Sequence, residues 1–272
     1  MLRRLSKDVL KSMLPPRTEY WLFCKPSHEQ CVKYLDIVES NMTEPLTQLL
    51  SLRQLCAHPN LSDKDCSVAK DLVSLSGKLD TLAALLKAIR NFHPQDKVVL
   101  VCNFTSVLTL IETQLMKQNQ WSYTRLDGTI AQNQRGGIVN RFEKTSADQC
   151  FAFLLSSRAG GCGLNLVAAN RLIMVDPDWN PAHDHQAMAR IFRPGQTKPC
   201  HIYRMFTSGT VEEVILQRQI HKGDLATLAM DSQAAESGLT NEELKDCFTL
   251  KQDCDCDTQC KMNWPNYCKI RI

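Results

Sequence analysis

The sequence predicts an α/β fold, a parallel sheet with helices on both faces, and three observations predict it. Between Ser76 and about residue 231, short apolar runs alternate with amphipathic stretches at helical spacing. The runs are the continuous, β-branched kind expected of strands buried on both faces. The segments that follow them turn to polar residues, glycine or proline, as the carboxyl ends of strands in such a sheet do.

Taken in order, "SGKLDTLAALLKAI" reads as a capped helix and "KVVLVCNF" as the first strand, followed by the amphipathic helix "TSVLTLIETQLMKQ". "WSYTRLDG" gives a second strand and "AQNQRGGIVNRF" a helix. "CFAFLLSS", "RLIMVDPDW" and "CHIYRMFTSG" are the third, fourth and fifth strands, the last handing over to the helix "TVEEVILQRQIHKG". Residues 1 to about 75 lack this alternation. They give a helix, a Pro-Pro break, one strand at "YWLFC", a helical stretch from Gln30 to Pro59 and a polar connector. Beyond residue 231 come a short helix, "TNEELKDCF", and a cysteine-rich tail. The expected division is 1–75, 76–231 and 232–272.

With 272 residues, 43% of them hydrophobic, the chain can bury a sizeable core. A net charge of +3 does not argue nucleic-acid binding by itself, so any such case must come from placement. Thirteen cysteines spread through strands and helices fit a reducing compartment, where they serve as small buried hydrophobes. The start "MLRRLSKDVL" has no continuous apolar core of a secretory signal. No window approaches about 18 uninterrupted apolar residues, so no membrane span is expected.

The loop "SSRAGGCGLN" has Gly160, Gly161 and Gly163 after a strand. It is either a phosphate cradle, where glycine lets backbone N–H groups approach a ligand, or a plain tight turn. Its spacing fits neither nucleotide fingerprint, and the only Gly-Lys pair, Gly77-Lys78, is followed by leucine rather than Ser or Thr. Asp176 and Asp178 are split by proline, so no Asp-Glu magnesium pair follows a strand. A complete nucleotide site is therefore not expected in these residues.

"QAMARIFRPGQ" reads as a short apolar helix ending at Pro194-Gly195, with Gln186, Arg190 and Arg193 on one side. Either the arginines are a solvated face, or they converge on an anion held elsewhere, the use to which a bidentate guanidinium is suited. In the tail, Cys254, Cys256, Cys260 and Cys268 supply four thiols, but the one-residue gap between the first two is atypical for zinc. A zinc site there is the lesser expectation beside solvent-exposed thiols. His58 in "CAHP" is expected to be packed rather than a ligand.

"LRRLSKDVLKSMLPPR", "LRQLCAHP", "SGKLDTLAALL", "RLDGTIAQNQR", "SSRAGGCGLNL", "DPDWNPA", "QAMARIFRPGQ" and "YRMFTSGTVEE" occur in a characteristic order. Over roughly residues 2 to 250 the chain resembles the second motor lobe of SWI/SNF-type DNA translocases of helicase superfamily two. "QAMAR", "KPSHEQ", "LPPR" and "EELKDCFTL" are most similar to the Rad-fifty-four recombination-repair branch, particularly its B form. The resemblance implies a RecA-like lobe, with residues 1–75 as the end of the first lobe, a helical protrusion and a linker. It implies that Gln186, Arg190 and Arg193 reach the γ-phosphate of ATP, and that Gly163 and Asn165 lie beside its ribose. Asn103, Thr105, Arg125, Ser157, Arg158 and Trp179 match positions that contact DNA backbone or groove, Ser157 standing where many relatives have threonine. Also implied are ATP and magnesium held mainly by a first motor lobe in cis or trans, double-stranded DNA and a recombinase filament as partners, and action in the nucleus. These residues lack that lobe's P-loop, so ATP turnover by this chain alone is not expected.

Overall fold

The computed structural model describes residues 14–40, 44–61, 73–159, 163–228, 245–251 and 256–262. Its centre is a six-stranded sheet in the order β1-β6-β5-β2-β4-β3 with every neighbour parallel. The strands are β1 (Arg17–Cys24), β2 (Val98–Cys102), β3 (Tyr123–Leu126), β4 (Ala152–Ser156), β5 (Arg171–Met174) and β6 (Cys200–Thr207). Parallel neighbours require crossovers, and helices supply them.

The helices are α1 (His28–Glu39), α2 (Pro45–Ala57), α3 (Gly77–Phe92), α4 (Thr105–Ile111), α5 (Gln132–Lys144), α6 (Pro181–Met188), α7 (Val211–Leu228) and α8 (Asp257–Met262). Ser76 opens α3 as its sequence predicts, the hydroxyl accepting from the Leu79 amide. After Ile111 the helix continues as a wider turn, Glu112–Lys117.

Side chains alternate across the central strands. Val98, Leu100 and Cys102 of β2 join one core cluster with Leu154, Ile173, Tyr203 and the apolar stripes of α3 and α4. Val99 and Val101 face the opposite cluster with Phe153, Leu155, Leu172 and Met174, against Val139 and Phe142 of α5 and Met188 of α6. Both faces are thus covered, which is why the strands read as unbroken apolar runs. A third cluster joins Tyr34 of α1, Leu49, Leu52 and Leu55 of α2, and Val211, Val214 and Ile215 of α7.

The sheet is wider than the five strands the sequence supports. β1, expected ahead of the alternating region, pairs in parallel with β6 from Arg17↔Cys200 to Cys24↔Thr207. Its burial pattern is that of an edge strand, open at Arg17 and Thr18 and closed at Cys24. An isolated strand followed by helices gives no local sign of the partner it will find.

Gly77-Lys78 has a structural use. A Cβ on Gly77 would lie 1.9 Å from the Lys25 carbonyl oxygen, so only glycine admits that close approach. Lys78 is fully buried and paired with Glu212, which also accepts from the Thr207 amide. That lysine ties α3 to the start of α7 and cannot reach a phosphate. His58 is fully buried, with Nδ1 accepting from the Asn60 amide, as a packed residue does.

The segment 245–262, as far as it is described, docks on α7. The Lys251 amide donates to the Gly209 carbonyl, and Gly209 has φ +68° with no room for a Cβ, which would lie 2.0 Å from the Lys251 carbonyl oxygen. Glu213 accepts from the backbone amides of Gly209, Asp257 and Thr258 and from the Thr258 hydroxyl. An acidic side chain there suits the amino end of α8, where amides point outward.

Candidate functional site

The residues expected to carry function gather at the carboxyl ends of the strands. Asn103 and Thr105 follow β2, Ser157 and Arg158 follow β4, Trp179 follows β5, and Gln186 lies on α6. This is the edge at which open parallel sheets bind ligands.

Asn103, Ser157 and Asp176 join three strand ends. Both carboxylate oxygens of Asp176 accept from the Asn103 amide, at 2.9 and 3.1 Å, and the Asn103 side-chain amide donates to the Asp176 carbonyl at 3.2 Å. The Ser157 hydroxyl donates to Asn103 Oδ1 at 2.7 Å, and its backbone amide to the Cys102 carbonyl at 2.9 Å. Arg53 of α2 closes the group from behind, donating to the Pro177 carbonyl and lying 5.0 Å over the Phe104 ring. Thr105 and Arg158 are exposed beside this junction.

Two of the residues matched to DNA contacts are engaged within the chain. Arg125 lies inside β3, not on a loop; its Nε bonds Asp127 at 2.8 Å and its Nη1 bonds Glu112 at 2.6 Å. Two carboxylates thus pair with its charge from within the chain. Burial pushes the Glu112 carboxyl up, but hydrogen bonds from Tyr123, Arg125 and Lys117 hold it below its usual value. Trp179 packs half-buried against the third core cluster.

The turn after α6 corrects the expected helix. α6 ends at Met188, and Arg190 and Arg193 lie in the turns beyond it, so they do not share a helix face. Helical extension would need the Arg190 carbonyl to accept from residue 194, a proline without N–H. That carbonyl accepts instead from the Leu166 amide at 3.0 Å. Ile191 is drawn fully into the core, and its carbonyl accepts from Gln196 Nε2.

The same amide nitrogen of Gln196 donates to the carbonyls of Val167 and Ala169, while Gln196 Oε1 accepts from the amides of Thr197 and Lys198. Arg193 Nη1 reaches the Leu164 carbonyl at 3.4 Å. The glycine loop after β4 and the arginine turn are therefore one hydrogen-bonded rim. On it Gly163, Asn165 and Gln186 are exposed and Arg190 and Arg193 half-buried. Gly163 has φ +34°, and a Cβ there would meet nothing within 4 Å, so the loop is open toward solvent at this point. Gly160 and Gly161 lie outside the described residues.

Nothing local in the sequence marks Gln196, since a polar residue after Pro-Gly looks like an ordinary surface turn. Arg135 is hidden for a similar reason; it donates from Nε to the Ile130 carbonyl and from Nη1 to the Ala159 carbonyl, tying α5 to the loop after β4. Only the long-range fold shows what either one holds.

In the tail, Cys254 and Cys268 lie outside the described residues. Cys256 is buried, its Sγ lying 3.4 Å from Glu213 Oε1 and accepting from the Gln259 amide, while Cys260 is exposed. No group of three His, Cys, Asp or Glu suited to a metal occurs among the described residues, and the zinc expectation finds no support. No described helix is long and apolar enough to cross a membrane.

Comparison with known proteins agrees with this architecture. Residues 77–195 match the helicase conserved C-terminal domain. A DNA repair and recombination protein RAD54-like of Drosophila pseudoobscura pseudoobscura is 39% identical over a 292-residue alignment covering 95% of this chain and 37% of the relative. Its namesake from Drosophila grimshawi is 43% identical over 255 residues, covering 87% of this chain and 32% of that one. The chain thus spans about a third of the length of the curated relatives it matches.

Among solved structures, the C-terminal part of the Fun30 ATPase domain superposes with a TM-score of 0.71 at 24% identity, covering 86% of this chain and 97% of that one. The Sulfolobus solfataricus SWI2/SNF2 ATPase core in complex with dsDNA gives 0.69 at 26% identity, over 87% of this chain and 51% of that one. With its parallel sheet, its strand-end loops and these likenesses together, the chain belongs to the SWI2/SNF2 family as a C-terminal lobe of the Rad54-like kind.

Proposed function

We propose that this chain is the second motor lobe of an ATP-dependent double-stranded-DNA translocase that acts in homologous recombination repair in the nucleus. The observation that carries the reading is the rim formed by the loop after β4 and the turn after α6. Two half-buried arginines, an exposed glutamine and an open glycine lie along it.

The donors on this rim suit a phosphoryl group. Arg190 and Arg193 would face the γ-phosphate of ATP held by a first lobe, with Gln186 one turn before Arg190, and Gly163 and Asn165 would lie beside the ribose. Bound ATP with magnesium supplies the phosphoryl group whose hydrolysis drives movement. The rim fits the phosphate end of such a ligand, since guanidiniums stabilise spread negative charge and a finger of this kind is worth about 10³ to 10⁵ in rate. Magnesium would be held mainly by the first lobe.

On the same edge, Asn103, Ser157, Thr105 and Arg158 would hold DNA phosphates without reading bases. Such contacts give sequence-independent, salt-sensitive binding. Arg125 and Trp179 are left out of this surface because both are engaged inside the chain. The similarity to proteins named for DNA repair and recombination supports a recombinase filament as the partner.

The test is DNA-stimulated ATP hydrolysis by this chain, alone and with a first lobe supplied from a Rad54-like relative. The motor-half reading expects no turnover alone and recovery on mixing. Failure of the supplied lobe to restore turnover points instead to a module that binds DNA or a recombinase without hydrolysing ATP.

A further inference from the structure

Asp176 has no part in the reading above, yet it sits at the centre of the strand-end junction. It is 3% exposed, and its carboxylate stands one step past the point where the β2–β5 ladder stops. The last backbone rung there is the Val175 amide to the Val101 carbonyl. Asn103, the first residue beyond β2, would next present an unpaired amide to the interior, and the Asp176 side chain takes it with both oxygens. On the other side of Asn103 the Ser157 amide extends the β2–β4 ladder onto Cys102, and the Ser157 hydroxyl bonds the Asn103 side chain. Asn103 is therefore held from both neighbouring strands, and its side chain is set by bonds to Ser157 and to the Asp176 backbone.

We propose that Asp176 is a positioning residue that locks Asn103 and Ser157 into one unit, so that the loops after β2 and β4 meet a DNA phosphate together. The inference rests on the reading that these two residues face DNA. A carboxylate accepting backbone amides makes a stronger bond than a neutral acceptor, so the lock tightens when Asp176 is ionised. Burial pushes the Asp176 carboxyl up to about 7, against the lowering effect of the Asn103 amide. The charged groups that act on it are Lys78 of α3 and Arg53 of α2, which favour the ionised form, and Glu212 at the start of α7, which opposes it. Cys102, its neighbour at the end of β2, is buried and held well above its usual value, so it stays neutral.

The experiment uses this chain and a fluorescein-labelled duplex of mixed sequence, with affinity read by anisotropy at pH 6 and pH 8 and folding checked by thermal melting. Asn103→Ala and Ser157→Ala test the underlying reading, and each should weaken binding. Asp176→Ala removes the acceptor and should weaken binding about fivefold while the protein remains folded. Asp176→Asn keeps an acceptor but cannot ionise. It should bind within about twofold of the natural chain at pH 6 and fall about threefold further behind at pH 8.

Unchanged binding by Asn103→Ala and Ser157→Ala overturns the DNA reading of these strand ends. If those two weaken binding but a folded Asp176→Ala binds like the natural chain, the positioning role is wrong. Should Asp176→Ala fail to fold, the ratio of Asp176→Asn to natural affinity decides alone: a ratio equal at both pH values overturns the proposal, because a merely structural aspartate would leave it constant.

Discussion

Gln196 shows how much a single side chain organises at this edge. Its amide nitrogen serves carbonyls of Val167, Ala169 and Ile191, and its oxygen serves the amides of Thr197 and Lys198, all while 6% exposed. Gln196→Ala would leave several buried backbone groups without partners, and each such group is costly in a dry site. The expected loss is about 2 to 4 kcal/mol in urea unfolding, with Gln196→Glu no rescue because its second oxygen faces three carbonyls. A loss below about 1 kcal/mol would mean that water replaces the glutamine. Asp176 makes a second residue-scale prediction, this one about pH. Burial raises its carboxyl from 3.8 to about 7, so the folded chain holds that proton more tightly than the unfolded chain. The stability this contributes is full below about pH 4 and is lost as pH rises through about 7. Compared with Asp176→Asn at successive pH values, the natural chain should therefore lose melting temperature between pH 5 and pH 7, and parallel curves would show that Asp176 is ionised throughout.

Among the elements, the central strands were legible because burial on both faces leaves an unbroken apolar run, which β2 displays at all five positions. α3 was legible from Ser76 and its stripe of leucines, both local signals. The turn at Arg190 and Arg193 was not. "QAMARIF" has helical spacing, but the Leu166 amide and Gln196 take the carbonyls that a longer helix would use, and those donors are distant in sequence. β1 was expected as a strand, but its pairing was hidden in the same way, since its register with β6 joins residues more than 180 positions apart. Arg125 illustrates the converse, a residue of suitable type in a suitable motif whose charge is taken up by Glu112 and Asp127. At this scale the docking of residues 245–251 depends on Gly209, where φ is +68° and a Cβ would strike the Lys251 carbonyl oxygen. Gly209→Ala should cost about 1 to 3 kcal/mol and expose residues 245–262 to limited proteolysis ahead of the sheet. Cleavage no faster than in the natural chain would show that the segment is held without this close approach.

For the whole molecule, the parallel sheet brings residues from four separate loops to one edge, and the two functions assigned there occupy neighbouring parts of it. The Asn103–Ser157–Asp176 junction lies past β2, β4 and β5, while the arginine rim begins in the same loop after β4 that Ser157 opens. A ligand that shifted the rim would act on a loop already bonded to the junction proposed to meet DNA. This continuity is the physical link expected between phosphate at one place and grip on DNA at another. Arg190 and Arg193 are both half-buried rather than core residues, and Arg193 reaches the Leu164 carbonyl at 3.4 Å. The decisive measurement is DNA-stimulated ATP hydrolysis by this chain with a first lobe supplied, natural and with Arg190→Ala or Arg193→Ala. Each substitution should lower the rate at least about a thousandfold while melting temperature and duplex affinity stay near natural values. Turnover within about tenfold of the natural rate, or unfolding of the chain by Arg193→Ala, would contradict a phosphate-facing role for these two cations.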